Sequence, residues 1–350
     1  MGEGYAPSAA VELPSKTVQE IADAGEKVPE SYIYKANLSI DPSLLPWMPS
    51  SVLIDLQLLL TSQSELEKLR SALNSWGCFQ VVNHGMTSSL LDEMQEVTKQ
   101  FFALPLEEKR KYARPIDDFE GYGNDAFVAE DRILNWTDRL YVTTYPEDRR
   151  RLRFWPEKPQ SFREVLHEFS MKTQAVQEIL LKAMARSLGL TDNTFWDQYG
   201  EKGMIYTRFN FYPRCPIPDR VLGIKPHSDG STATILLQDK EVGGLQVLKD
   251  GHWFKVPIIP DALFVNAGDQ VEIMSNGMLR SPVHRVVPNS ERERISVAMF
   301  GLPDPENEIG PAPELISDGQ PQLYKKVKNY LSHFCHYYER GESALPSLKV

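Results

Sequence analysis

His227 and Asp229 stand two residues apart in Pro226-His227-Ser228-Asp229. On an extended backbone, side chains at i and i+2 project to the same side, so an imidazole nitrogen and a carboxylate oxygen can converge on one point. The pair alone is weak, because with seven histidines and 48 acidic residues in 350 chance supplies about one His-x-acid triplet, and a surface turn explains it equally well. His284, within Arg280-Ser281-Pro282-Val283-His284-Arg285-Val286-Val287, adds a second imidazole on an expected strand. Two imidazoles and one carboxylate form a facial set that leaves three positions of an octahedral iron open, whereas structural zinc fills its shell with protein ligands. The competing reading of His284 is a hydrogen-bonded core histidine.

Arg294 and Ser296 are also two apart, in the apolar run Arg294-Ile295-Ser296-Val297-Ala298-Met299-Phe300. An inward arginine needs a carboxylate, and a neighbouring serine can donate one more hydrogen bond. With no protein acid assigned to it, a ligand carboxylate is the economical partner, and Tyr212 could add a third donor. The alternative places Arg294 in the solvated run Glu291-Arg292-Glu293-Arg294.

The elements that must carry these residues change character near residue 200. Before it, apolar residues recur at helical spacing. A long helix is predicted over Ser161–Leu188, with Phe162, Val165, Phe169, Val176, Leu180, Ala183 and Leu188 on one face, a capping box from Ser161 and Glu164, and a stop at Gly189. Further helices are predicted at 63–76 and 86–103, and a short strand at 51–56. From 203 to 303 the signals are strands. Ile205, Thr207, Phe209 and Phe211 alternate with Tyr206, Arg208, Asn210 and Tyr212, and Asp250-Gly251 and Asn276-Gly277 read as hairpin turns. Several short strands at close spacing predict a sandwich or barrel, followed by a helix over 321–339. The expected division is a Pro-bearing arm at 1–50 with a helical patch at Val18–Ala24, a helix-rich region at 51–200, a catalytic core at 201–305, and a C-terminal helix and tail at 306–350.

Composition bounds the function. Hydrophobic residues at 41%, charged at 25% and aromatics at 10% are globular proportions, and 38 basic against 48 acidic residues leave a net charge of −10. No basic cluster exceeds Arg149–Arg153, which argues against nucleic acid. Cys78, Cys215 and Cys335 are odd in number and far apart, so neither a disulfide framework nor a zinc knuckle is expected and a reducing, cytoplasmic setting fits. The start, MGEGYAPSAAVELPS, has neither a basic nor an apolar leader segment, Ala6 does not fit a myristoylation signal, and no stretch approaches the length of a membrane span.

With these residues in place, the sequence resembles the plant iron(II)/2-oxoglutarate-dependent dioxygenases over about residues 50 to 335. The resemblance rests on Trp76-Gly77-Cys78-Phe79-Gln80-Val81-Val82-Asn83-His84-Gly85, Asn210-Phe211-Tyr212-Pro213-Arg214-Cys215-Pro216 and Pro226-His227-Ser228-Asp229, with Gly243-Gly244-Leu245-Gln246-Val247, Asn266-Ala267-Gly268-Asp269, His284-Arg285-Val286 and Arg294-Ile295-Ser296 following in order. It is similar above all to the branch holding codeine O-demethylase-like and norcoclaurine synthase-like proteins. It implies an α+β fold, a double-stranded β-helix (jelly roll) braced by N-terminal helices. It implies iron(II) on His227, Asp229 and His284, and 2-oxoglutarate held by Arg294, Ser296 and Tyr212 with Asn210 nearby. Dioxygen is the oxidant and ascorbate the customary reductant.

By the same resemblance Arg139, Tyr141 and Phe300 line the substrate pocket. The expected activity is hydroxylation or O-demethylation of a small, aromatic or polycyclic metabolite, hormone or xenobiotic, with release of succinate and CO2. A monomer is expected, with no nucleic-acid or membrane partner. Two alternatives stay open: an iron-dependent oxidase or metal-dependent condensing enzyme without 2-oxoglutarate, and a non-catalytic small-molecule receptor. His84 reads as a turn or packing histidine, Gly243-Gly244 as a tight β connection, Cys215 as a packed thiol and Trp155 as core.

Overall fold

Helix starts follow from side chains that satisfy the first free backbone N–H groups. Thr17 caps α1 (Val18–Asp23) by accepting from Glu20 N, while the Glu20 carboxylate accepts from Thr17 N. Ser62 and Thr87 cap α2 (Gln63–Ser75) and α3 (Ser88–Ala103) by accepting from Glu65 N and Leu90 N. The short α4 spans Leu106–Arg110, α5 spans Phe162–Ser187, and α6 Asn193–Tyr199. The helix predicted from the 161–188 spacing is therefore present, but its capping box is not. Ser161 already has helical backbone angles instead of the extended conformation of a capping residue, so its side chain makes no capping bond, while the Phe162 N–H is taken by the Pro159 carbonyl. Gly189, at φ +77°, ends the helix as expected.

The computed structural model describes residues 16–34, 44–116, 118–125, 133–338 and 340–350. Residues 1–15, read above for a leader segment, and residues 35–43 of the expected arm lie outside the described residues. The described part of the arm lies on the body. The Asp138 carboxylate accepts from the backbone N–H groups of Val18 and Gln19 at 2.9 and 2.8 Å. Tyr32 meets the buried Trp136 edge-on at 5.2 Å, and Cys215 packs in the same apolar cluster.

Strands β1 (Leu53–Asp55), β2 (Cys78–Val82), β3 (Gly121–Gly123), β4 (Asp138–Tyr145) and β5 (Met204–Tyr212) precede β6 (Ile224–His227) and β7 (Ala233–Gln238). They are followed by β8 (Leu245–Lys249), β9 (His252–Lys255), β10 (Leu263–Ala267), a helix α7 (Asp269–Met274), β11 (His284–Val286) and β12 (Arg294–Leu302). The large sheet has the order β1-β2-β10-β7-β12-β5-β4-β3 and the small one β6-β11-β8-β9. Residues from both sheets line a single cavity, which is the jelly-roll arrangement, and the fold is α+β. The outer face of the large sheet is covered by α5, against which α2 and α3 also pack. Leu69, Leu73, Phe101, Phe169 and Leu180 are fully buried there, so the helix periodicity serves this contact.

Two local expectations fail for physical reasons. Asp250-Gly251 does close the β8–β9 hairpin, both residues having positive φ. Asn276-Gly277 has the same conformation but lies beyond α7, and turns the chain out of a helix instead of joining two strands. Consecutive left-handed residues suit a helix exit as well as a hairpin. The C-terminal helix, α8, covers only Tyr330–Tyr338. Upstream, Val327–Lys328 pairs as a strand with Glu308–Ile309 and Asn329 has φ +48°.

Two glycines of the motifs are required by close approach. A Cβ at Gly77 would stand 2.4 Å from the Arg280 carbonyl, and one at Gly244 would stand 2.7 Å from the Val287 carbonyl and 3.3 Å from Arg294 Cδ. Gly243-Gly244 is thus a tight β connection beside the Arg294 side chain.

Candidate functional site

Antiparallel pairing of β6 with β11 puts His227 directly opposite His284, with ring centroids 4.3 Å apart. Asp229 follows two residues past the end of the strand pair. Oδ1 of Asp229 is 3.5 Å from His227 Nε2 and 3.6 Å from His284 Nε2. The ligand atoms of all three lie within 4.8 Å of one another. His227 Nδ1 is 2.8 Å from the Lys225 carbonyl and His284 Nδ1 is 3.3 Å from the Pro282 carbonyl. These contacts place the imidazole protons on Nδ1 and leave both Nε2 lone pairs facing Asp229. Burial pushes the pKa of His284 down to about 4, so the ring is neutral at pH 7. Burial pushes the Asp229 carboxyl up, but attraction to the imidazoles in their protonated form and the Thr234 hydroxyl outweigh it and hold the carboxyl below the usual range, so Asp229 is ionised before the His284 ring gives up its proton. Two imidazoles with an ionised carboxylate are the donor set of a divalent iron site.

The β5–β12 register pairs Arg294 with Tyr212 and Ser296 with Asn210. Asn210 Nδ2 donates to Ser296 Oγ at 3.2 Å. Arg294 is 1% exposed, which removes it from the solvated run in which the sequence left it open. Its guanidinium lies 5.1 Å from the centre of the Tyr212 ring, and Nε and Nη1 are buried without a hydrogen-bond partner. Buried guanidinium donors without partners are costly. They face the same cavity as the two imidazoles and Asp229, so a ligand carboxylate fits there.

The cavity, about 180 Å³, is walled on its far side by aromatic rings. Tyr141 and Phe300 stack at 6.1 Å with 16° between planes, and Phe119 meets Tyr141 edge-on at 5.5 Å. Arg139 is neither solvent-facing nor paired to Asp138. It is 2% exposed, its Nη1 donates to the Phe119 and Gly121 carbonyls, and its Nε reaches Asp125 Oδ1 at 3.3 Å.

Several residues at the cavity were not singled out from sequence. Arg208 donates through Nη1 and Nη2 to Asp125 and through Nε to Asn210 Oδ1 at 2.6 Å. The alternation on β5 that pointed to Asn210 and Tyr212 also contained Arg208. Asn266 on β10 stood in the Asn266-Ala267-Gly268-Asp269 motif with no role assigned to it, and Asp125 from a loop and Phe334 and Tyr338 on α8 carried no local signal. Among the other motif residues, His84 holds a turn, with Nε2 2.8 Å from the Asp261 carbonyl and Nδ1 accepting from Met86 N at 3.3 Å. Trp155 is buried core.

Two family models match this chain: that of the non-haem dioxygenase in morphine synthesis N-terminal region over residues 53–158, and that of the 2OG-Fe(II) oxygenase superfamily over 204–303. Codeine O-demethylase of Papaver somniferum is 38% identical over 93% of this chain and 91% of its own. The chain belongs to the 2OG-Fe(II) oxygenase superfamily. Jasmonate-induced oxygenase 4 of Arabidopsis thaliana is 41% identical over 75% of both chains. The crystal structure of JOX2 in complex with 2OG, Fe and JA superposes with a TM-score of 0.87 at 34% identity, covering 96% of this chain and 98% of that one. As a superfamily member the protein is an iron(II)- and 2-oxoglutarate-dependent oxygenase acting on a small molecule.

Proposed function

We propose that this oxygenase hydroxylates or O-demethylates a flat, largely apolar specialised metabolite, hormone or xenobiotic. His227, Asp229 and His284 would hold the iron. Arg294, with Ser296 and Tyr212, would take the distal carboxylate of 2-oxoglutarate. The observation that carries this reading is the pair of partnerless donors on Arg294, buried in the same cavity as a three-ligand donor set. When bound, iron(II) and 2-oxoglutarate supply oxidation by dioxygen, with succinate and carbon dioxide released.

The chain's own residues supply the rest. The Lys225 and Pro282 carbonyls fix the imidazole tautomers. Asn210 supports Ser296. Tyr141 and Phe300 offer a stacked wall for the substrate, and Arg139 ties that wall to the backbone of the neighbouring loop. Phe334 and Tyr338 of α8 border the cavity and narrow its access to water. The relatives named for codeine O-demethylation and flavonoid 7-O-demethylation support a substrate of this size and class.

The protein is read as a cytoplasmic monomer that binds neither nucleic acid nor membrane. A net charge of −10 supports this, as do three free cysteines and the fact that no helix among the described residues is long and apolar enough to cross a membrane. The test is succinate release from 2-oxoglutarate by the full chain with added iron(II) and ascorbate. Release that is indifferent to iron(II), or that persists in Asp229→Ala, would overturn the proposal.

A further inference from the structure

Among the described residues, the charges around the cavity do not balance once the cosubstrate is counted. Its described charged residues are Asp125, Arg139, Arg208, Asp229 and Arg294. With both imidazoles counted as uncharged ligands of the iron, the charges of iron(II) and Arg294 would cancel those of Asp229 and the two carboxylates of 2-oxoglutarate. That leaves two guanidiniums, Arg139 and Arg208, facing one carboxylate, Asp125. The three side chains are only 3%, 12% and 10% exposed, so solvent does little to neutralise the excess.

Donor accounting points the same way. A guanidinium has five N–H groups. Arg208 spends one from Nε on Asn210 and one each from Nη1 and Nη2 on Asp125, leaving a further N–H on each terminal nitrogen. Arg208 is also the register partner of Tyr141 across β4 and β5, which sets the cation beside the ring stacked on Phe300. Leu236, Ala298 and Leu302 make the surrounding wall apolar.

We infer that the substrate is a monoanion on a flat apolar body, its acidic oxygens taken by Arg208 while its ring lies against Tyr141 and Phe300, and that an ammonium-bearing analogue is refused. This rests on the reading of the cavity as a substrate site. Asp125 cannot serve a cationic ligand, because both guanidiniums already bracket it. They hold its carboxyl well below the usual range against the upward push of burial. Burial brings the Arg139 pKa down to about 10, so that guanidinium keeps its charge at pH 7 and the excess persists.

The test uses the full chain loaded with iron(II) and 2-oxoglutarate without oxygen, and calorimetric titration with 2-naphthoate, 2-naphthamide and 2-naphthylmethylammonium. Naphthoate should bind about tenfold more tightly than the amide and about a hundredfold more tightly than the ammonium, a charge-assisted preference. Arg208→Gln should bring acid and amide within about threefold of each other, and Arg208→Lys should keep the acid ahead. Equal binding of acid and amide by the wild type, or an ammonium that matches the acid, overturns the inference even if the Arg208 variants fail to fold. Succinate release without any substrate separates this from the broader reading. Slow iron-dependent release together with no preference for the acid sinks only the charge argument, whereas no release sinks the oxygenase assignment of the cavity.

Discussion

Asn266 donates to Asp229 Oδ2 at 3.1 Å, while the two imidazole Nε2 atoms lie 3.5 and 3.6 Å from Oδ1 of the same carboxylate. The two oxygens are thereby given different tasks: Oδ2 is anchored to β10, and Oδ1 faces the shared point between the histidines.

Replacing Asn266 with Leu removes that anchor from Oδ2. Iron(II) affinity should fall by about 10- to 100-fold, the range for loss of a group that orients a metal ligand. Anaerobic titration of the apo protein with iron(II) checks this, and unchanged affinity would show that Asp229 needs no anchor.

Arg294→Lys keeps a positive charge but loses the planar fork. The KM for 2-oxoglutarate should rise by about tenfold or more, with a smaller change in kcat, since a point charge cannot make two parallel bonds to a carboxylate. Initial rates of succinate formation over a range of 2-oxoglutarate concentrations measure the split.

Asp138 links the arm to stability. Burial raises its pKa from 3.8 to about 6, partly offset by the N–H groups of Gln19 and Val18. Between pH 4 and 6 the folded state therefore binds more protons than the unfolded state, and stability contributed by the protonated form is lost as pH rises through that window. The decline should approach about 3 kcal/mol and level off above pH 6. Asp138→Asn should lack it. Urea unfolding of both proteins at pH 4.5 and 7 tests this, and parallel changes in the two would refute it.

Gly230 lies under α8, where an added Cβ would stand 2.5 to 2.9 Å from atoms of the Phe334 ring. Gly230→Ala should displace α8 and admit water to the cavity. Amide exchange over 330–338 should accelerate, and more succinate should be released per product formed. Exchange and coupling both equal to wild type would show that the helix does not seal the site.

Much of this site was legible because period-two alternation acts locally. The i and i+2 rule brought out His227 with Asp229, Arg294 with Ser296, and Asn210 with Tyr212, since within a strand neighbouring residues decide which side chains share a face. The same rule held Arg208, whose importance came into view only when Asp125 was seen against it. Local signals failed where one backbone conformation serves two purposes. Asn276-Gly277 has the dihedral angles of a hairpin turn but leaves a helix, and Ser161-x-x-Glu164 has the letters of a capping box while Ser161 itself already has helical backbone angles and does not cap.

What the sequence determined by itself was the set of chemical groups, the strands that carry them and the face each occupies, because these follow from residue type and short-range geometry. Only the tertiary structure decided which strands meet. It set His284 opposite His227, left Nε and Nη1 of Arg294 without a hydrogen-bond partner, enclosed two guanidiniums around Asp125, and laid α8 against the cavity. Those outcomes depend on long-range pairing and on the exclusion of water from a closed interior, and no short window of residues contains either.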